Sequence, residues 1–475
     1  MPEMTDLYGL PVTGADDAAL QGIDDFVHGF ISFQTKAANV LKAAEAAPDC
    51  ALVNAYAAIL YMLLEAPVAP QLAAPYLQAA EAAAPDATPR EQATVHAARL
   101  FHDGKIPELI ALCEETIRRH PRDMVMLKLG QYHTFNIGDF PAMLRIATRA
   151  FPGADDIAYA HGMLAFGYEE CHLLKQAEAA ARRSMRNPPS APERAPRPPT
   201  SARRSMRLRH DDPWAHHALA HIYLTRGDVT GGIVFLESVS DTWRDLNSFM
   251  RSHNWWHLAL FYISQGRHED VLQAYDEHVW GLAKDYSQDQ VGAVSLLARL
   301  DFAGIDVGDR WADVVAHVAQ RGADTVSPFL TLQYLYGLGR TDDRAAMDVL
   351  MDAIKDRAAD TTRHDCRAWA EVALPAAQGI VAHANRDWAE AARLLGIALP
   401  RLAECGGSHA QRDLFDQIHL DALMENGDVA RAQQVLEMRR TYDPDGVPLN
   451  RMLAEVYTRN GLPELAEQAQ ARTAR

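Results

Sequence analysis

Apolar positions along this chain recur at three- and four-residue spacing, and no strict apolar–polar alternation persists. That periodicity predicts helices and not strands. A second, longer pattern is laid over it. A large or apolar residue is followed four positions later by Gly or another turn residue, and nine positions later by a small or apolar residue. Tyr223, Gly227 and Gly232 fit, as do Tyr262, Gly266 and Val271. So do Leu423, Gly427 and Ala432, and Tyr457, Gly461 and Ala466. Weaker copies run through Leu100, Gly104 and Leu109, through Thr134, Gly138 and Met143, and through Ala382, Arg386 and Ala391.

The spacing has a physical meaning. The first residue packs the end of one helix, Gly supplies a permissive backbone for a tight turn, and the small residue lets the second helix approach closely. These are the marks of a tetratricopeptide-type hairpin with a period near ~34 residues. Repeated along one chain, they predict an all-α, tetratricopeptide-like α-solenoid of antiparallel helical hairpins, a single array over residues 1–475.

One segment breaks the pattern. ARRSMR occurs at Ala181–Arg186 and again at Ala202–Arg207, and NPPSAPERAPRPPTS lies between them. No packed helix tolerates that density of Pro. Joining the chain across the duplicated hexamer restores an uninterrupted helix end, turn and helix start. Residues 182–209 therefore read as an inserted Pro/Arg-rich loop, either a solvated connection or a basic arm for an acidic partner.

Composition narrows the classes. With 475 residues and 48% hydrophobic content, the chain can repay the entropy of folding. Its net charge of −17 argues against nucleic acid or an anionic membrane as partner. Cys50, Cys113, Cys171, Cys366 and Cys405 show no CxxC spacing, which fits a reducing cytoplasm and gives no Cys-based zinc site. The first residues carry no basic and apolar leader pattern, and the longest nearly uncharged apolar run, Cys50–Leu64, is shorter than the ~20 residues a membrane helix needs. The expectation is a cytoplasmic protein, with homo-oligomerisation left open.

Histidine is unevenly spread. Of 20 His, those at 210, 216, 217, 221, 253, 257, 268 and 278 fall in one window. His217 and His221 are four apart on an expected helix, and so are His253 and His257. Residues i and i+4 share a helix face, so each pair is a two-point metal grip. The pairs are about one repeat apart, on the first helices of successive hairpins, and both could face the concave surface. Such a set suits Zn, Fe, Ni or Cu. Glu170 and Asp276 are the carboxylates best placed by sequence to act as acid or base, and His278 is a further candidate for ligand contact. HExxH is absent, which disfavours a metalloprotease. Trp214, Trp255, Trp256 and Tyr223 lie beside these His, so an aromatic groove for a peptide is the competing reading.

A second motif is GGSHAQRD, Gly406–Asp413. Ser408 followed by Gln411 is a capping box, with two Gly giving a sharp entry. Arg412 and Asp413 are left over by that reading. A helix N-terminus beside an Arg also suits a carboxylate or phosphate. Phosphate-loop and nucleophile-elbow motifs are absent.

Several stretches together carry a resemblance: LPVTGADDAALQGIDDFV (Leu10–Val27), PREQATVHAARLFHDGKIPE (Pro89–Glu108), HPRDMVMLK (His120–Lys128), GMLAFGYEE (Gly162–Glu170), HHALAHIYL (His216–Leu224), HNWWHLALFYISQGRHEDVLQAYDEHV (His253–Val279), VGDRW (Val307–Trp311) and GGSHAQRDLFDQ (Gly406–Gln417). In these the chain resembles the tetratricopeptide repeat protein 38 family. The resemblance implies an all-α, tetratricopeptide-like fold and implies no particular reaction. It covers His217, His221, His253, His257, Glu170, Asp276 and His278, leaves out His210, His216 and His268, and places the ARRSMR insertion outside the shared pattern.

Two functions follow as expectations. One is a divalent-metal site built on His217, His221, His253 and His257, with Glu170 or Asp276 as acid or base if it is catalytic. Ser408, Arg412, Asp413, Trp256 and His278 would contact a small polar or anionic ligand. The other is a non-catalytic scaffold that binds a peptide or protein in its groove.

Overall fold

The computed structural model describes residues 4–185, 211–341 and 344–473. The expected insertion at 182–209 falls almost wholly outside the described residues; only its first four are described, at the end of the Leu174–Ser184 helix. Among the described residues, the chain is a succession of helices, with one short two-stranded ribbon pairing Met4–Thr5 with Pro11–Val12. It is an all-α, tetratricopeptide-like protein.

The hairpin turns show why. Leu100, Thr134, Tyr223, Tyr262, Leu423 and Tyr457 each accept, through the carbonyl, a hydrogen bond from the backbone N–H five residues later. Between donor and acceptor sits Gly104, Gly138, Gly227, Gly266, Gly427 or Gly461, each at a φ between 68° and 76°. This is the left-handed helix stop in which a 6→1 bond closes the last turn. Arg386 takes the same place at φ 59° after Ala382. The periodic Gly is thus a conformational requirement at every one of these turns, and at Gly227 a packing one as well. The ninth position is buried in most copies: Leu109, Met143, Val271, Ala391 and Ala432 have no exposure. Gly232 goes furthest, since a Cβ there would lie 2.7 Å from the Phe261 ring on the next hairpin.

Two further turns share the geometry without the expected motif. Leu173 donates to Tyr168 across His172, at φ 57°, and Ile305 donates to Leu300 across Gly304, at φ 73°. The first was hidden because the left-handed residue is His.

Packing divides the chain into two compact units. Unit one comprises Met1–Phe135, Asp139–Leu219 and Asp241–Met250; unit two comprises Asn136–Gly138, Ala220–Ser240 and Arg251–Arg475. The chain passes from one to the other within the Pro213–Arg226 and Ser248–Ser264 helices. In unit one, buried Arg90 donates to Asp123 at 3.2 Å and lies 3.8 Å from Asp6, tying the N-terminal ribbon to the Pro89–His102 helix. In unit two, a typical core links Leu420, Leu423, Leu436, Leu453 and Val456 between the last hairpins. No described helix is long and apolar enough to cross a membrane.

The turns generate a stability prediction. Gly461 has open space where a Cβ would go, so Gly461→Ala should cost only the left-handed strain, about 1 kcal/mol. At Gly227 a Cβ would meet the Tyr442 carbonyl oxygen at 2.6 Å, so Gly227→Ala should cost about 3 kcal/mol. Urea unfolding of the two variants checks the difference.

Candidate functional site

Unit two holds a group of close imidazoles, three of them buried. His221 comes from the Pro213–Arg226 helix, and His253 and His257 from one face of the Ser248–Ser264 helix. Their exposures are 0%, 7% and 1%. The two helices belong to successive hairpins, and the shared turn geometry brings their faces together. His221 and His257 have ring centroids 4.7 Å apart, and so do His253 and His257. A fourth ring joins them from far along the chain. His409, the first residue of the His409–Glu425 helix, places Nε2 3.2 Å from Nδ1 of His221, with the two rings perpendicular.

That spacing admits two chemistries. One is a hydrogen bond between neutral imidazoles. The other is a pair of ligands on one ion: two nitrogens at about 2.0–2.1 Å and a tetrahedral angle stand ~3.3 Å apart. Burial, with His221 as a second cause, pulls His253 down to about 3, so its ring is neutral at physiological pH with a lone pair available.

Beside the imidazoles runs a polar network. Trp256 stacks on His253 at 5.4 Å and meets His257 edge-on at 4.8 Å. Its indole N–H is buried without a partner among the described residues. The buried guanidinium of Arg299 lies 5.2 Å from the Trp256 ring, donates to the Ala410 carbonyl at 2.8 Å, and stands 3.7 Å from Asp413. Asp413 accepts from Arg439 at 2.5 Å and from Gln417 at 2.6 Å. Burial alone would raise Asp413, but Arg439 and Arg299 outweigh it and hold the carboxyl at about 2. One turn on, burial and the Asp413 charge push Asp416 up to about 6. Two neighbouring carboxyls are thus driven apart in acidity, a pattern that marks acid–base sites.

The GGSHAQRD motif fixes this network in place. Ser408 and Gln411 form the capping box expected of them, with bonds of 3.3 and 3.0 Å. Gly406 and Gly407 have φ of 89° and 78°, and a Cβ on Gly407 would lie 2.5 Å from the Phe329 ring. Arg412 donates to the Gly407 carbonyl. The loop's own groups therefore engage Ser408 and Arg412.

Asp276 lies on a π-helical turn, Tyr275–Val279, and is held by Arg310 through bonds of 2.9 and 2.6 Å. Its carboxylate is half exposed and neutralised by that ion pair, which leaves it poorly suited to proton transfer. His278, on the same turn, stacks on Trp255 at 3.8 Å and remains partly exposed. In unit one, His217 is buried, stacked on Trp214 at 4.6 Å and 5.2 Å from Phe166. Glu170 and its neighbour Glu169 are buried at the end of the Ala158–Glu170 helix. His216 accepts a hydrogen bond from the Trp243 indole at 3.1 Å, a structural role.

Sequence reasoning missed His409, Arg299 and Asp416. His409 stood inside the GGSHAQRD motif but was given no role there. Arg299 left one signal, a lone charge within the apolar run VGAVSLLARL.

Buried His and Glu side chains in this protein form groups that could hold a metal ion, with ligand atoms within 4.8 Å of one another. No known family model matches the chain. Among solved structures, it is similar to the human IFIT1 dimer with PPP-AAAA, at 10% identity over 99% of this chain and 97% of that one, with a TM-score of 0.41. It is similar to Naa15/Naa10 bound to HypK-THB at 13% identity, covering 96% of this chain and 68% of that one, with a TM-score of 0.25. The TPR domain of P58(IPK) matches at 12% identity over 81% of this chain and 92% of that one, with a TM-score of 0.20. The hairpin turns, and not these likenesses, carry the fold assignment.

The two carboxyls give a pH prediction of opposite signs. Asp413 is depressed, so its contribution is full above pH ~4 and is lost as pH falls toward about 2. Asp413→Asn should lower stability at pH 7 by about 2 kcal/mol and flatten the acid limb between these values. Asp416 is raised, so its ionisation costs stability as pH climbs toward and past about 6. Asp416→Asn should therefore stabilise at pH 7, by about 1 kcal/mol after allowing for its partial exposure. Unfolding curves from pH 2 to 8 check both.

Proposed function

We propose that this protein binds one divalent transition-metal ion through its imidazole cluster and presents it to a small polar ligand. The observation that carries the reading is the approach of His221, His253, His257 and His409 from three helices, at 4.7–4.9 Å between ring centroids. Nitrogen donors favour Zn, Fe, Ni or Cu over Mg or Ca. His217, one turn before His221 on the same helix, keeps the ligand role expected from its spacing, but the reading does not require it. A bound ion of this kind acts as a Lewis acid or activates a water.

The chain's own groups supply the rest. Trp256 offers a buried indole N–H to a ligand acceptor, and Arg299 brings a positive charge over the same ring. Asp413, balanced by Arg439, keeps Arg299 in place. Glu170 is the acid–base residue this reading assigns, and Asp276 is dropped from that role. The resemblance to the tetratricopeptide repeat protein 38 family, the single-array organisation and a cytoplasmic setting belong to the same proposal.

A scaffold reading has one observation in its favour. Trp255 and His278 form a partly exposed stacked pair at 3.8 Å, a suitable platform for a peptide side chain. Trp256 does not serve it, being 1% exposed.

Elemental analysis after loading with Zn, Fe, Ni or Cu and dialysis separates the readings. The metal reading predicts about one ion per chain. It also predicts a drop in affinity of ~100-fold or more in His221→Ala and His257→Ala, with His268→Ala unchanged. Metal-free protein after loading, with an unshifted melting curve, would leave the scaffold reading.

A further inference from the structure

The charged groups beside Trp256 in unit two do not all find partners. Asp413 is taken by Arg439 and Gln417, Asp443 accepts from the Ser264 hydroxyl at 2.7 Å, and Arg412 donates to the Gly407 carbonyl. Asp416, one turn beyond Asp413 on the His409–Glu425 helix, faces the charges of Asp413, Arg439, Arg412 and Arg299. It forms no hydrogen bond or ion pair among the described residues. Arg299 is the opposite case. It spends its donors on neutral oxygens, the Ser295 carbonyl at 3.2 Å, the Ser295 hydroxyl at 2.5 Å and the Ala410 carbonyl at 2.8 Å. One carboxylate approaches it among the described residues, Asp413 at 3.7 Å, and Arg439 already holds that one. The Trp256 indole N–H, against the same guanidinium, is buried without an acceptor. A buried donor left unpaired is costly, and is kept where something else supplies the acceptor.

These groups border open space. Asp413 and Arg439 keep 32% and 26% of their side-chain surface exposed, yet burial is the strongest single influence on the ionisation of each. Groups that are at once accessible and deep in the protein line a cleft. Arg299 bends back along the Ser287–Phe302 helix to reach Ser295, and half-buried Gly292 lies one turn further on the same face. A Cβ on Gly292 would meet nothing within 4 Å.

We infer that this cleft binds a small zwitterion, a free amino acid, whose carboxylate accepts from the Trp256 indole beside Arg299 and whose ammonium faces Asp416. A carboxylate alone would meet the Asp413 charge and leave Asp416 unpaired. An amine alone would leave Arg299 and the Trp256 donor as they are. One molecule that carries both charges answers both needs. The space at Gly292 receives the side chain of the amino acid. The inference names the small polar ligand of the proposed function and rests on that half of it, not on the ion.

The test uses the full chain after treatment with a chelator, at pH 7. Each standard amino acid is added in turn, and binding is read from the melting temperature and then by titration calorimetry. The inference predicts that at least one amino acid raises the melting temperature in the absence of metal. It should bind at least ~10-fold more tightly than its α-amide, which lacks the carboxylate, and than its deaminated acid, which lacks the ammonium. Asp416→Asn should fold and lose the preference over the deaminated acid. Gly292→Leu puts a strong helix former in place of a weak one, so it should fold at least as stably and yet bind at least ~10-fold more weakly. Absence of amino-acid binding, equal binding of the amide or of the deaminated acid, or undiminished binding in Gly292→Leu would overturn the inference. None of these outcomes touches the metal reading, which the loading experiment decides separately.

Discussion

The structure depends on a residue in left-handed conformation between the two helices of a hairpin, with a 6→1 backbone bond closing across it. That bond uses a carbonyl the helix end would otherwise leave unsatisfied. It also fixes how many residues separate the helices, and so which face of the second meets the first. Tyr223–Gly227–Asp228 and Tyr262–Gly266–Arg267 make the same turn. The helices preceding those turns therefore present equivalent faces, and imidazoles about one repeat apart come to stand ring to ring. The position of the His cluster is a consequence of the turn.

Burying imidazoles has an electrostatic consequence. Inside a helical packing the charged form is disfavoured, and His253 is held neutral across the physiological range. Neutral rings that approach one another avoid the repulsion that protonated ones would suffer. Arg299 and Arg439 bring positive charge nearby, where Asp413 balances it. The network thus separates nitrogen donors from ion-paired groups, with Trp256 between them.

Much of the fold was legible because the turn imposes a residue type. At six turns the Gly at positive φ carries the motif, whereas at Gly304 the rest of the motif is missing and at Arg386 and His172 a residue other than Gly takes the left-handed position. The i, i+4 pairing of His253 with His257 was legible for the same local reason. His409 was not, because its approach to His221 spans 188 residues and rests on tertiary packing. Asp276 looked well placed by sequence, but its bond to Arg310, 34 residues on, removes it from acid–base work.

The central claim is that the imidazole cluster is a metal centre. X-ray absorption at the metal edge of the loaded protein tests it most directly. An ion held there has a shell of nitrogen neighbours at about 2.0–2.1 Å with the outer scattering of three or more imidazole rings. A shell of oxygen neighbours without imidazole scattering would contradict it.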